Sequence, residues 1–323
     1  MTNSSPVKPH PIRGYLYIAA AGLLWALTAN LGKAVFTQKL ISAAQSPIDP
    51  LILSQTRTTL SWLVLMPILL LVRGKAALSL TRKDFGRTLL LGTLGIAGSN
   101  YFYYLAIEKT TVATAIVLQY TAPAWVLLYM LARHRQRPTL RRVGAVGMAV
   151  AGSALAIGVF AQGRIKLDPV GIAAALAAAL SFAFYNVYGH HLLETRERWT
   201  IITHTLMGAA LFWMVVNPPW KVLAAHYSGE QWLFLGVFAM LSMLLPFSFY
   251  FAGLQYLDAT RAIVTSCLEP VFAILLAAAF LAEGLGPLQV VGVVVVLTAS
   301  VVVQMPERNG TSLTPPPRKN LSS

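Results

Sequence analysis

The 323-residue sequence is short of charge, and of acidic charge most of all. Only 11% of its residues are charged, against 56% hydrophobic, whereas soluble domains carry roughly 25% charged residues. So few charges cannot clothe a water-facing surface, which excludes an ordinary soluble fold and leaves lipid as the solvent. Eleven acidic residues, scattered and unpaired along the chain, also argue against the clustered Asp, Glu or His that enzymes assemble for metal or acid–base work. Cysteine is almost absent. Cys267 stands alone, so neither an intrachain disulfide nor a Cys-rich metal site can form, and its place in an apolar run suits a small packed residue. No phosphate-cradling loop of the Walker type occurs, which argues against ATP-driven work by this chain. We expect no enzymatic activity, no metal and no cofactor.

What is present is apolar sequence in bilayer-sized lengths. A helix needs roughly 20 apolar residues to cross the hydrocarbon core. That length predicts spans near 14–36, 51–72, 88–107, 111–132 and 143–161, then 169–192, 200–217, 231–256, 260–281 and 286–304. The fold class is therefore an all-α polytopic membrane protein with about ten helices. A polar N-terminal tail, 1–13, carries Pro6, Pro9 and Pro11. The run from Tyr15 to Phe36 is too long for a signal-peptide core and reads as a retained first helix. The Pro- and Ser-rich tail, 305–323, reads as disordered.

A net charge of +14 would suggest nucleic acid if it formed one patch. The basic residues instead sit in short clusters between apolar runs, as juxtamembrane charges do, and no nucleic-acid partner is expected. With the N-terminus in the cytoplasm, only Lys39, Lys109, Arg164, Lys166 and Lys221 of the 25 Lys and Arg face the far side, and Lys33 and Arg57 lie within spans. This bias predicts both termini inside, an even number of spans, and a multi-pass inner (plasma) membrane location.

The chain repeats itself. Phe102 to Leu128 (FYYLAIEKTTVATAIVLQYTAPAWVLL) aligns without a gap on Phe249 to Leu275 (FYFAGLQYLDATRAIVTSCLEPVFAIL) at a shift of 147. Phe102 and Phe249, Tyr103 and Tyr250, the triplets Ala115-Ile116-Val117 and Ala262-Ile263-Val264, and Pro123 and Pro270 are identical pairs. Five spans per half place the copies in opposite orientations, an inverted repeat. Each half resembles the EamA repeat of the drug/metabolite transporter superfamily. The second half has Tyr250, Ala259-Thr260-Arg261-Ala262, Glu269-Pro270, Glu283 and Gly292 in that family's order, and the first has Trp25, Arg57, Tyr103, Pro123 and Gly144. The resemblance implies two repeats, 14–161 and 169–304. It departs where Arg135 or Gln136 stands opposite Glu283, and where Phe182 replaces a common Trp.

Ionisable groups inside spans are costly and functional by default. Glu269 precedes Pro270, whose missing N–H leaves a carbonyl unpaired one turn earlier. It is a candidate to bind a cation or exchange a proton, or else a structural carboxyl. Arg57, beside Gln55, is a candidate for binding a carboxylate or for pairing with Glu269 to lock two helices. His190, His191 and His204 read as interfacial or satisfied, and Lys33 as snorkelling. Trp25, Asn30, Asn100, Tyr101, Tyr104, Gln119, Tyr185, Asn186, Tyr250 and Ser266 are candidates to line a cavity suited to a small amphipathic solute, with Pro123 and Pro270 as helix breaks. Several of these rings equally suit interfacial belts or helix packing. Gly144, Gly147, Ala151 and the alanines from Ala173 to Ala179 predict close helix contacts.

The expected function is secondary transport of a small metabolite, an amino acid or related solute, by alternating access. The resemblance implies export. The partners are that solute, the bilayer and protons as a candidate coupling ion. A channel or sensor, or a membrane-embedded lipid enzyme, remains the alternative.

Overall fold

The computed structural model describes residues 11–36, 48–134, 139–158, 168–281 and 286–305. Lys33's side chain, Arg135, Gln136, Glu283 and the chain from 306 onward lie outside the described residues, as do residues 1–10. Every regular element among the described residues is helical. In the first half, α1 is Pro11–Phe36 and α2 is Pro50–Arg73. Next, α3 covers 82–109; α4 is broken into α4a (Val112–Gln119) and α4b (Ala122–His134); and α5 is Leu140–Ile157. In the second half, α6 is Pro169–Leu193 and α7 is Arg198–Val216. There α8 is Gly229–Leu254; α9 is broken into α9a (Ala259–Ser266) and α9b (Leu268–Leu281); and α10 is Pro287–Gln304.

Polar N-caps set the helix starts. Asp49, Thr81, Thr139, Asp168, Ser228 and Asp258 each accept a backbone N–H of the helix they open, satisfying donors that would otherwise be orphaned. The first helix is already present at Pro11, the first described residue, inside the segment read as tail. Gly158 closes α5 with φ 74° and ψ 33°, a left-handed cap that a side chain would strain.

Nine helical stretches among the described residues are long and apolar enough to cross a membrane. The tenth, α3, is long enough but carries Ser99, Asn100, Tyr101, Tyr103 and Tyr104. It needs less apolar surface because it packs against α4, α6 and α7, with Leu91, Gly92, Gly95, Ile96 and Ala97 buried.

The irregularities repeat with the sequence. A π-helical turn interrupts α3 at Leu91–Ala97 and α8 at Met240–Leu244. The caps Thr81 and Ser228 stand 147 residues apart, and so do the limits of α4a and α9a. Packing follows the same exchange: α1 lies against α8 and α9, α6 against α3 and α4, while α2 meets α7 and α5 meets α10.

The α5–α10 contact corrects one expectation. Gly144, Gly147 and Ala151 are exposed, and the buried small stripe is Ala145, Ala149, Gly152 and Ala156. Both stripes have helical spacing, so spacing alone cannot choose between them. In α6 the buried alanines are Ala174, Ala175, Ala178 and Ala179, with Ala173 exposed. Across the α5–α10 contact, a Cβ on Gly292 would sit 2.2 Å from the Ala156 nitrogen. We expect Gly292→Val to lower the melting temperature of the detergent-purified protein, since overpacking a close contact costs about 1–3 kcal/mol. Gly144→Ala, which meets nothing within 4 Å, should leave it unchanged; equal effects would contradict this packing.

Candidate functional site

The two broken helices build the centre of the molecule. Pro123 and Pro270 are both buried. Lacking N–H groups, they cannot close the helical bonds to the carbonyls of Gln119 and Ser266. Each helix restarts past the break, and Glu269 falls in the first turn of α9b, where the positive end of a helix favours a carboxylate. Its repeat-mate is Ala122, so only one half carries the acid.

Glu269 is hemmed in by four helices. A Cβ on Gly22 of α1 would meet the Glu269 nitrogen at 3.5 Å. The Tyr120 hydroxyl lies within hydrogen-bonding reach of its carboxyl, and Tyr103, Tyr250 and Cys267 also lie in its electrostatic reach. Yet Glu269 keeps part of its surface accessible. We take a carboxyl enclosed by protein and still accessible to line a hollow.

Arg57 belongs to the same hollow. Its guanidinium donates to Asn100 Oδ1, and Asn100 in turn donates to the Ile96 carbonyl at 2.7 Å. Arg57 Nε is buried with no acceptor. No ion pair joins Arg57 to Glu269 among the described residues, so the locking pair offered as one reading of the sequence is not formed. Instead, Tyr103 interacts with both charges.

Around this group the remaining candidates divide. Trp25 stands edge-on to Phe247 at 5.3 Å and tilted to Tyr250 at 5.5 Å. Tyr250 accepts a hydrogen bond from Asn186 and engages Ser266. Gln119 donates to Ser99 at 3.2 Å, and Tyr104 packs on Tyr103 at 5.8 Å. Tyr185 lies one layer back, fully buried among Phe182, Phe247, Tyr250 and Phe251. Three candidates tie helices elsewhere: Gln55 accepts from Asn217 at 2.6 Å, Asn30 donates to the Ala273 carbonyl at 3.0 Å, and Tyr101 packs on Phe212 at 5.9 Å. His204 contacts the Thr200 carbonyl at 2.8 Å and the ring of Phe85. His190 contacts the Leu254 carbonyl and His191 the Glu194 carboxylate. Sequence reasoning missed Tyr103 and Tyr120 as site residues. Tyr103 was legible, because its repeat partner Tyr250 was already a candidate.

The two ends of the hollow differ although the sequence repeats. Every residue of α9a except Arg261 is buried, while in α4a Val112 is 53% exposed and Ile116 to Gln119 are partly so. Besides its symmetric partners, α9a packs on α4b, α5 and α6, whereas α4a makes no comparable contact with α9b. Ion pairs reinforce the α9a end. Asp258 meets Arg142 at 3.4 Å and Arg261 at 3.5 Å, Asp84 meets Arg196 and Arg87, and Arg73 meets Glu197. The Thr81 hydroxyl, then Arg196 and Arg87, hold the Asp84 carboxyl below the usual carboxylate range. The repeat-mates of Asp258 and Asp84 are Thr111 and Gln231, so these two carboxylates serve one end alone.

Comparison with known proteins agrees with this architecture. The model of the EamA-like transporter family matches residues 12–158 and again 169–305. The inner membrane transporter YicL of Salmonella typhimurium is 21% identical over 299 residues, covering 92% of this chain and 96% of that protein. The threonine/homoserine exporter RhtA of Escherichia coli K12 is 28% identical over 218 residues, 66% of this chain and 69% of its own. A solved crystal structure with 19% identity superposes with a TM-score of 0.71, covering 90% of this chain and 96% of its own, which speaks for the fold alone.

The asymmetry of the ends is open to measurement. In a Cys267→Ala background, Val117→Cys in α4a should react with a soluble maleimide about 10-fold or more faster than its repeat-mate Val264→Cys in α9a, since access governs thiol reactivity. Equal rates would mean that the ends do not differ in solution.

Proposed function

Because the chain belongs to the EamA-like transporter family, we propose that it is a secondary transporter exporting a small metabolite, an amino acid or related amphipathic solute, across the inner membrane by alternating access. The observation that carries this reading is the unequal burial of α4a and α9a, two helices of equal length at equivalent places in the repeats: α9a is buried but for Arg261, while α4a exposes Val112 and partly exposes Ile116 to Gln119. Two related halves need only exchange these environments to open the hollow on the other side, a rocking of one half against the other around a fixed site. In this reading the Arg-rich α9a end faces the cytoplasm, as the bias of Lys and Arg favours, both termini are inside, and the less buried α4a end faces outward.

In this reading the hollow around Arg57, Asn100, Tyr104, Gln119, Tyr250 and Glu269 receives the solute, with Trp25, Tyr185, Asn186 and Ser266 as its wall and support. The amino-acid class draws support from RhtA, whose name describes threonine and homoserine export. Export through the closed end requires breaking the Asp258 and Asp84 ion pairs, which makes the outward state the resting one. Glu269 is the proposed coupling group, binding a proton in exchange for solute. A channel reading lacks a ring of like charges or a carbonyl filter to support it, and a lipid enzyme lacks a paired acid motif at one interface.

Proteoliposomes test the reading. Purified protein should catalyse saturable counterflow of labelled threonine or homoserine, accelerated by a pH gradient. Glu269→Gln should remove the response to the gradient and weaken the exchange that runs without one. Transport indifferent both to the gradient and to Glu269→Gln would remove proton coupling; flux that never saturates would favour a channel.

A further inference from the structure

Arg57 and Glu269 are opposite charges in one hollow, near enough to share Tyr103 as a neighbour, yet unpaired. Leaving both without a counter-charge inside the bilayer is strongly unfavourable. A protein selecting for stability alone would bring them together or discard both. Here the geometry keeps them apart. Asn100 pins the guanidinium from one side, itself anchored to the Ile96 carbonyl, so Arg57 is not free to swing across. Glu269 is anchored from the other side by the start of α9b and by the close approach of α1 at Gly22.

The open valences on the two sides are complementary. Arg57 Nε is buried with no acceptor among the described residues, and an N–H edge of a guanidinium is suited to a carboxylate. Glu269 supplies a carboxylate, one turn from the Ser266 carbonyl that Pro270 leaves without its helical donor. That pair of acceptors suits an ammonium, which brings three donors and no acceptor. An anion alone would satisfy Arg57 and leave Glu269 exposed to the same penalty; a cation alone would do the reverse. While Glu269 is ionised, a solute bearing both charges close together neutralises both; after the solute leaves, the coupling proton neutralises Glu269.

Resting on the transporter reading above, we propose that Arg57 with Asn100 and Glu269 with the α9 break form a two-point clamp for the carboxylate and ammonium of a zwitterionic amino acid. The solute's side chain then lies against the rings of Trp25, Tyr103, Tyr104 and Tyr120.

The test is a binding series on the detergent-purified full chain, read by ligand-induced shifts in melting temperature. The probes are neutral L-amino acids, each with its decarboxylated amine and its deaminated acid. The wild type should bind the amino acid about 10- to 100-fold more tightly than either truncated form, as expected when one charged hydrogen bond is removed. Arg57→Gln should reduce amino-acid affinity by a similar factor and spare the amine; Glu269→Gln should spare the acid. Arg57→Lys, which keeps the charge but not the fork, should fall between, and unliganded melting curves check that each variant folds. An amine or an acid that binds the wild type as tightly as its amino acid overturns the clamp, as does a weakening in Arg57→Gln equal for amine and amino acid. Counterflow of a non-zwitterionic solute without amino-acid binding would overturn the clamp and leave the transporter standing. Absence of exchange for every solute class would remove both.

Discussion

Inside a bilayer a backbone carbonyl has no water to turn to, and this constraint organises the whole chain. Unbroken helices satisfy it by closing every bond internally. Pro123 and Pro270 break that closure at one matched place in each half. The breaks are tolerable only where protein or water replaces lipid, which is why both prolines are buried and why Glu269 can lie beside one of them. The polar residues of α3 obey the same rule, since a helix packed among others need not offer apolar surface on every face.

A repeated sequence would by itself give a symmetric object. Symmetry is broken in two ways that bear on function. Glu269 has alanine as its repeat-mate, so the carboxylate exists once. Asp84 and Asp258 have Gln231 and Thr111 as theirs, so the ion pairs these two carboxylates make beside α9a are not copied by their repeat-mates. The two ends of the fold are therefore held by different side chains although the helices around them repeat. Asp84 is buried and Asp258 half-buried, so these pairs tie the end more firmly than exposed ones, which are individually weak.

The architecture was legible in the sequence. Span lengths, the Lys and Arg bias and the gapless match at a shift of 147 lead to a two-repeat helical membrane protein, and the chain's family membership agrees. Glu269 and Arg57 stood out because ionisable residues in apolar runs are rare. The remaining candidates divided less cleanly. Tyr101 and Tyr104 are three residues apart and share a broad face, yet one packs on α7 and the other beside Tyr103. Gln55 adjoins Arg57 almost in sequence and turns to Asn217 instead. Gly144 and Gly147 offered a small stripe as good as the one used.

The sequence by itself determined which stretches are apolar enough for lipid, that the chain is two repeats, where the helices break and which charges have no apolar home, because these follow from local chemistry and from period. Only the tertiary structure decided which of two equivalent stripes faces a neighbour, that Arg57 and Glu269 stand apart across Tyr103, and which end of the hollow is shut. Those outcomes depend on the rotation and tilt of helices distant in sequence, and packing among neighbours, rather than any residue's own preference, sets them.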